Sequence, residues 1–129
     1  MRHITTRCLA GACALAGIWL AATVAGGQPQ PSGRDIYQHA CAECHQANGA
    51  GQPGDVPALI HDPVANGDPD TAARVVLGGD GPMPDFDVQL TDAQIAAVLS
   101  YVRTSFGNSA GPVSPSVVAN ARNAMAHGQ

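Results

Sequence analysis

Cys41-Ala42-Glu43-Cys44-His45 is the stretch that decides how this chain of 129 residues folds. A histidine directly after a Cys-x-x-Cys pair is the spacing through which haem c is attached covalently to protein. Residues three and four apart share one face of a helix, so both thiols can form thioethers to haem vinyl groups while the imidazole faces the iron. The motif therefore predicts one covalently bound haem c, with His45 as a ligand of its iron.

Three other interpretations fit parts of this motif. A redox disulfide of the thioredoxin type requires a surrounding βαβ unit and no histidine, and no strand pattern precedes Cys41. A zinc site needs a further ligand, for which His61 is the candidate in the following loop. A structural disulfide between Cys41 and Cys44 is the simplest alternative. The position of His45 favours haem over all three.

The first 25 residues have the pattern of a secretory signal peptide. Arg2 and Arg7 flank the start, an apolar run covers residues 8–25, and the run ends in small side chains. We expect cleavage after Ala25, which removes the other two cysteines and places the protein in a bacterial periplasm. A retained leader would instead anchor the protein in the membrane, because a run of 18 residues is just long enough to span it.

The charge balance limits the choice of partners. Beyond residue 25 the chain has four arginines, no lysine and ten carboxylates, which gives a net charge of 4 − 10 = −6. A protein this acidic is not expected to bind nucleic acid. Docking to a protein partner must then rest on apolar contacts, on a few arginines or on the carboxylates themselves.

Local signals predict a helix through the motif and a second, shorter helix after it. Ser32 and Asp35 form a capping-box pattern that predicts a helix over residues 33–45. Its expected buried stripe consists of Ile36, Tyr37, Ala40, Cys41 and Cys44. Asp70 is expected to cap a short helix over residues 71–77, which two glycines end.

The most regular helical pattern lies near the end of the chain. The capping-box residues Thr91 and Gln94 open a helix that we expect to run to about Ser105, with Gly107 as the residue that ends it. Its expected buried face consists of Ile95, Val98, Leu99 and Val102. A weaker pattern predicts one more helix over residues 116–125.

The remaining segments are long loops. Residues 46–69 and 78–89 are rich in Gly, Pro, Asn and Asp and have almost no periodicity, so they need a haem to pack against. The sequence thus predicts an all-α fold of three to four helices and long loops wrapped around one haem. We expect four regions: a signal peptide (1–25), a flexible lead-in (26–32), a haem domain (33–107) and a C-terminal extension that packs on it (108–129).

The motifs follow one another in the order typical of a known family. The matching pieces are Gly33, Tyr37, the cysteine motif, Pro57, Leu59, residues 81–84 and the helix through Tyr101. In this order they resemble the class I monohaem cytochromes c. The stretch 101–108 more narrowly resembles the cytochrome c subunits of bacterial periplasmic dehydrogenases.

The resemblance implies a role for each residue of the site. Cys41 and Cys44 would hold the haem, His45 would be the proximal iron ligand and Met83 the distal one. The carbonyl of Pro57 would accept the Nδ1 proton of His45 and fix the orientation of the ring. The helix that contains Gly33 and Tyr37 would cross the Tyr101 helix at close approach. Pro82, directly before Met83, departs from the small flexible residue expected there.

The residues themselves also favour Met83 as the second iron ligand. Prolines on both sides stiffen the loop that would present its thioether. The alternatives are a Met83 that only fills a gap in the core, the loop residue His61, and Met125 close to the C-terminus.

Ligation by one imidazole and one thioether favours ferrous iron and leaves no open position for a substrate. The expected function is therefore a one-electron carrier and not an enzyme, with a dehydrogenase or bc-type complex as donor and a terminal oxidase or another cytochrome as acceptor. An alternative is a haem-based gas sensor with a labile distal ligand. A peroxidase is disfavoured because it needs an open distal face and often a second haem.

Overall fold

The computed structural model describes residues 29–128, so the predicted signal peptide lies outside the described residues. Its helices are α1 (Gly33–Ala40), α2 (Ala42–His45), α3 (Pro69–Gly78), α4 (Asp92–Thr104) and α5 (Pro115–Ala126). Within this range β structure is limited to two isolated bridges, and no helix is long and apolar enough to cross a bilayer. The all-α prediction is confirmed. The helix count exceeds the expected three to four because Cys41 (φ −120°) separates α1 from the one-turn α2.

Both predicted capping boxes are present. The Ser32 side chain accepts the N–H of Asp35 at 3.2 Å, and the Asp35 carboxylate accepts the N–H of Ser32 at 3.2 Å. The Ser32 hydroxyl also donates to the Asp35 carboxylate, at 2.6 Å, and this bond, followed by the one from the Ser32 N–H, holds the pKa of Asp35 below its ordinary value. Thr91 and Gln94 exchange the same pair of bonds at 2.9 and 3.3 Å. The caps fix where α1 and α4 begin, and therefore where each buried face starts.

Helices α1 and α4 cross at close approach, as predicted. A Cβ atom at Gly33 would lie 2.0 Å from the carbonyl oxygen of Ala97, so only a glycine fits at this crossing. Next to it the rings of Tyr37, Tyr101 and Phe106 form a cluster with centroid distances of 5.2–5.6 Å. This contact places the haem-binding motif, at the C-terminal end of α1, against the middle of α4.

The start of α3 differs from the prediction. The N-cap is Asp68, whose carboxylate accepts the N–H of Thr71 at 3.0 Å, and Asp70 lies in the first turn, where it pairs with Arg74. The reason is Pro69, which suits the first helical position because it needs no N–H partner there and holds the preceding residue extended. The hydrogen bonds from Thr71 lower the pKa of Asp68.

Helix α4 ends close to Ser105, as predicted, but the residue expected to end it is not the one that does. The helix stops at Thr104 with Ser105 as its C-cap, and the next residue, Phe106, already has a left-handed φ of 57°. Its ring packs on Gly49, where a Cβ atom would come within 2.7 Å of a ring carbon. Packing of this half-buried ring on Gly49 offsets the backbone strain of a left-handed phenylalanine, so Gly107 is not the residue that ends the helix.

The core has two clusters of buried side chains. One lies between α3, α4 and α5 and consists of Ala72, Ala73, Leu77, Ile95, Ala96, Leu99, Val113, Val118 and Ala121. The other lies between α1, α4 and the loop before α3 and consists of Ile36, Tyr37, Ala65, Val98 and Val102. The predicted inner face of α4 is confirmed. Ala40, predicted to be buried, is exposed, and Cys44 lies on the wall of a cavity and not in the packed core.

Candidate haem site

A cavity of about 620 Å³ lies between α2, α3, α4 and the two long loops. This volume falls within the usual range for a ligand pocket of roughly 300–1,000 Å³. Apolar wall residues include Val56, Pro57, Leu59, Val75, Val76, Phe86, Leu90, Val98, Leu99 and Val102. Cys41, Cys44, His45 and Met83 line the same cavity. The two thiols, the imidazole and the thioether that a haem c would need therefore lie around one apolar cavity. The residues of this cavity fit a haem.

His45 is held by the backbone on both sides. It is 8% exposed, its Nδ1 lies 3.0 Å from the carbonyl oxygen of Pro57, and its own carbonyl accepts the N–H of Gly51 at 2.9 Å. A Cβ atom at Gly51 would lie 2.4 Å from the Val56 carbonyl, so a larger residue would push this loop away from the histidine. With Nδ1 bonded to Pro57, the ring presents Nε2 as the nitrogen available to a metal.

Met83 is presented by a tight turn. Asp80 and Met83 exchange two backbone hydrogen bonds, at 3.0 and 3.2 Å, and Gly81 between them has a left-handed φ of 57°. Pro82 is compatible with this geometry because no N–H is required at its position. The departure from the expected small residue therefore stiffens the turn instead of distorting it.

No disulfide joins Cys41 and Cys44. Burial, with a smaller contribution from the nearby Cys44, raises the pKa of Cys41 to about 11. A redox-active cysteine of the thioredoxin type has a lowered pKa that favours the thiolate. The direction of this shift is the opposite of the one that a redox-active dithiol requires.

The other candidate ligands do not face the cavity. His61 is exposed and is absent from the lining, and its N–H donates to Asn108. Met125 lines a separate cavity of about 320 Å³ beside the end of α3. Over residues 29–128, no three side chains of the His, Cys, Asp and Glu types converge as a metal site, so the zinc interpretation lacks its ligand set.

The charged residues that line the cavity are all acidic: Asp55, Asp62 and Asp80.

Two residues that hold the wall of the cavity were not predicted from the sequence to have that role, Arg103 and Asn108. Both are buried, at 4% and 8% exposure, and both bond to the backbone of the loop before α3. The only sequence signal was the position of these polar residues within the stretch 101–108, which does not reveal their contacts.

A small helical domain with these four side chains around one apolar cavity defines a c-type cytochrome domain. The comparison with known families agrees, since residues 28–102 match the family described as cytochrome c oxidase, cbb3-type, subunit III. The chain belongs to this family, and the expected resemblance to c-type cytochromes is confirmed. Membership implies that the cofactor is haem c.

The similar curated proteins are cytochrome subunits of bacterial dehydrogenases. The chain is 36% identical over 110 residues to the cytochrome c subunit of alcohol dehydrogenase (quinone) from Gluconobacter oxydans (strain 621H), covering 75% of this chain and 23% of that protein. It is 31% identical over 97 residues to the gluconate 2-dehydrogenase cytochrome c subunit of Pantoea cypripedii, covering 65% and 22%. The fructose dehydrogenase cytochrome subunit of Gluconobacter japonicus is 33% identical over 105 residues, covering 70% and 22%.

These matches confirm the narrower resemblance to cytochrome subunits of bacterial dehydrogenases. The chain spans less than a quarter of the length of each of these relatives. All three are named as cytochrome subunits and not as catalytic subunits, which agrees with the expectation of an electron-transfer protein.

Proposed function

We propose that this chain binds one haem c covalently through Cys41 and Cys44, with His45 and Met83 as axial ligands, and acts as a periplasmic one-electron carrier. The observation that carries the proposal is the convergence of these four side chains on one apolar cavity. When bound, haem c supplies a one-electron couple between ferric and ferrous iron.

The contribution of the protein is to fix the ligands and exclude water. The Pro57 carbonyl holds the Nδ1 proton of His45, which fixes the tautomer and strengthens Nε2 as an electron donor. The turn at residues 80–83 keeps the thioether of Met83 at the cavity. His45 and Met83 would hold the iron with two neutral ligands and leave no position for oxygen or substrate, and the chemistry that the haem would supply is then electron transfer.

The names of the relatives support a dehydrogenase as electron donor. We further propose a bc-type complex as an alternative donor and a terminal oxidase or another cytochrome as acceptor. The signal-peptide pattern supports export to the periplasm, and a retained leader would tether the carrier to the membrane.

The surface at the cavity would meet these partners through acidic and apolar groups. Asp55, Asp62 and Asp80 line the cavity, while Ile60 on the loop before α3 lies outside its lining and is 38% exposed. An exposed apolar side chain beside charges of one sign is typical of an interaction surface. A partner that presents lysines or arginines around an apolar centre fits this surface.

Ionic strength tests this surface. Electron transfer to a cationic cobalt complex should slow as salt is added, since screening weakens opposite-charge attraction. Asp55→Asn with Asp80→Asn should lower the low-salt rate constant several-fold. The matched pair Asp85→Asn with Asp87→Asn removes the same charge beside the other cavity. Equal effects from the two pairs would show that net charge, and not this surface, controls docking.

Visible spectroscopy tests the axial ligands. The purified haem protein should show the weak ferric band of an iron–methionine bond and a ferrous spectrum unchanged by carbon monoxide. Met83→Ala should abolish that band, permit carbon monoxide binding and lower the midpoint potential, whereas Met125→Ala should change none of these. Carbon monoxide binding by the unmodified protein would contradict the carrier and favour the gas-binding alternative.

A further inference from the structure

One wall of the cavity is a loop without regular secondary structure, residues 57–67, here called the wall loop. It lines the cavity with Pro57, Leu59, Asp62, Val64 and Ala65. At one end of this loop, Pro57 accepts the hydrogen bond from His45 Nδ1. The position of that carbonyl therefore depends on what holds the loop in place.

Asn108 holds the wall loop close to Pro57. Its Nδ2 lies 2.9 Å from the carbonyl oxygen of Leu59 and 2.9 Å from that of Val102, so one amide group joins the loop to α4. Its Oδ1 accepts the N–H of His61 at 2.8 Å. The side chain is 8% exposed, and three directed bonds in a buried position leave it little freedom.

Arg103 holds the far end of the same loop. Its Nη1 donates to the carbonyls of Ala65 at 2.8 Å and Gly67 at 3.0 Å. Its Nε and Nη2 donate to Gly111 at 3.0 Å and Ala110 at 3.1 Å. The guanidinium thus joins the loop to the segment after α4, and this segment also contains Asn108.

The two residues act on different parts of the loop. Leu59, which Asn108 contacts, is two positions from Pro57, and its own N–H donates to Gly49 at 2.7 Å. Arg103 contacts the loop eight and ten positions from Pro57. Asn108 is therefore the residue whose loss would most directly free the Pro57 carbonyl.

We propose that Asn108 is a positioning residue for His45: by fixing Leu59 and His61, it keeps the Pro57 carbonyl on the Nδ1 proton of the imidazole. The inference rests on the proposed role of His45 as an iron ligand. Asn108 lies beyond residues 28–102, where the family match ends. The position of the wall loop would then depend on a segment outside the matched region.

The test uses the haem-loaded protein and two readouts. The first is the rate at which the His45 Nδ1 proton exchanges with solvent, measured by NMR in the ferrous state. The second is the midpoint potential. Asn108→Ala should raise the exchange rate at least tenfold and raise the potential, because a weaker bond to Pro57 makes the imidazole a poorer donor to ferric iron.

A matched variant separates positioning from general stability. Ser100 also joins α4 to the following segment, since its hydroxyl accepts the N–H of Val113 at 2.8 Å, and the hydrogen bonds of this side chain are to Ala96 and Val113 and not to the wall loop. Ser100→Ala should lower stability without changing either readout. Asn108→Ser, which removes the bonds to the wall loop without placing a buried carboxylate against the Leu59 and Val102 carbonyls, should also raise the exchange rate and serves if the alanine variant does not fold.

Two results would overturn the inference: unchanged exchange and potential in both Asn108 variants, or equal changes in Ser100→Ala. With either result, the unmodified protein would still show its iron–methionine band. A failure of the proposed function is distinguishable, because it would show as a missing iron–methionine band in the unmodified protein itself.

Discussion

Replacing Gly33 by alanine should show how much of the fold depends on the crossing of α1 and α4. The new Cβ would lie 2.0 Å from the carbonyl oxygen of Ala97 and 3.1 Å from the Cβ of Tyr101. Real contacts of this kind need more than 3 Å, so the helices must move apart by about 1 Å. Backbone atoms cannot rotate out of the way as a flexible side chain can.

The expected loss follows from two opposing effects. Overpacking of this kind costs about 1–3 kcal/mol, while alanine gains up to about 1 kcal/mol over glycine in a helix interior and less at its first position. The net loss for Gly33→Ala should be about 2 kcal/mol. For a domain of this size, such a loss lowers the melting temperature by about 8–16 °C.

Gly78→Ala is the matched control. Gly78 lies in the last turn of α3, and a Cβ there would meet only the terminal methyl of Met125, at 2.9 Å. This flexible side chain can move, so the helical preference of alanine should leave stability unchanged or raise it by about 0.5 kcal/mol. Urea unfolding of the haem-loaded proteins, followed by circular dichroism, measures both. If the two variants differed by less than 0.5 kcal/mol, about the error of the comparison, the close-approach argument would be wrong.

Three further predictions concern single residues. Burial raises the pKa of Tyr37 from 10.0 to about 12. Because the unfolded chain loses the tyrosine proton first, the free energy of unfolding should fall as the pH rises between these two values. Tyr37→Phe should remove this pH dependence. Asp68→Ala should destabilise the protein more than Asp70→Ala in urea, because Asp68 is the cap of α3 and Asp70 forms an exposed pair. Val118→Ala should cost about 2 kcal/mol, whereas Val88→Ala, at an 88% exposed position, should leave the unfolding midpoint unchanged.

The parts of the fold that could be predicted from sequence depend on short-range interactions. The caps at Ser32 and Thr91 are formed by residues three positions apart, and their pattern is visible in the sequence. The haem motif is equally local. The crossing of α1 and α4 was predicted only through the family resemblance, because no local pattern relates Gly33 to Ala97.

The errors arose where two local signals competed. Asp68 and Asp70 both stand near a helix start, and Pro69 between them decides in favour of Asp68. At the end of α4, the usual glycine signal at Gly107 is overridden by the packing of Phe106 on Gly49, which is 57 positions away in the sequence. Tertiary packing of this range cannot be read from a window of neighbouring residues.

The contacts of Arg103 and Asn108 were beyond prediction for the same reason. They join residues 36–49 positions apart. An arginine in the last turn of a helix is ordinarily read as a solvated charge near the helix C-terminus. In the folded protein the Arg103 side chain is buried, because the wall loop packs over it.

The bonds of Arg103 also bear on how the protein responds to salt. Its acceptors on the wall loop are uncharged peptide carbonyls, and the side chain that donates to them is buried. The ion pairs of Arg74 with Asp70 and of Arg122 with Asp92 are instead half-exposed contacts between opposite charges. Salt screens such half-exposed pairs far more than a buried donor. The wall loop should therefore stay in place in a saline medium after the surface pairs have weakened.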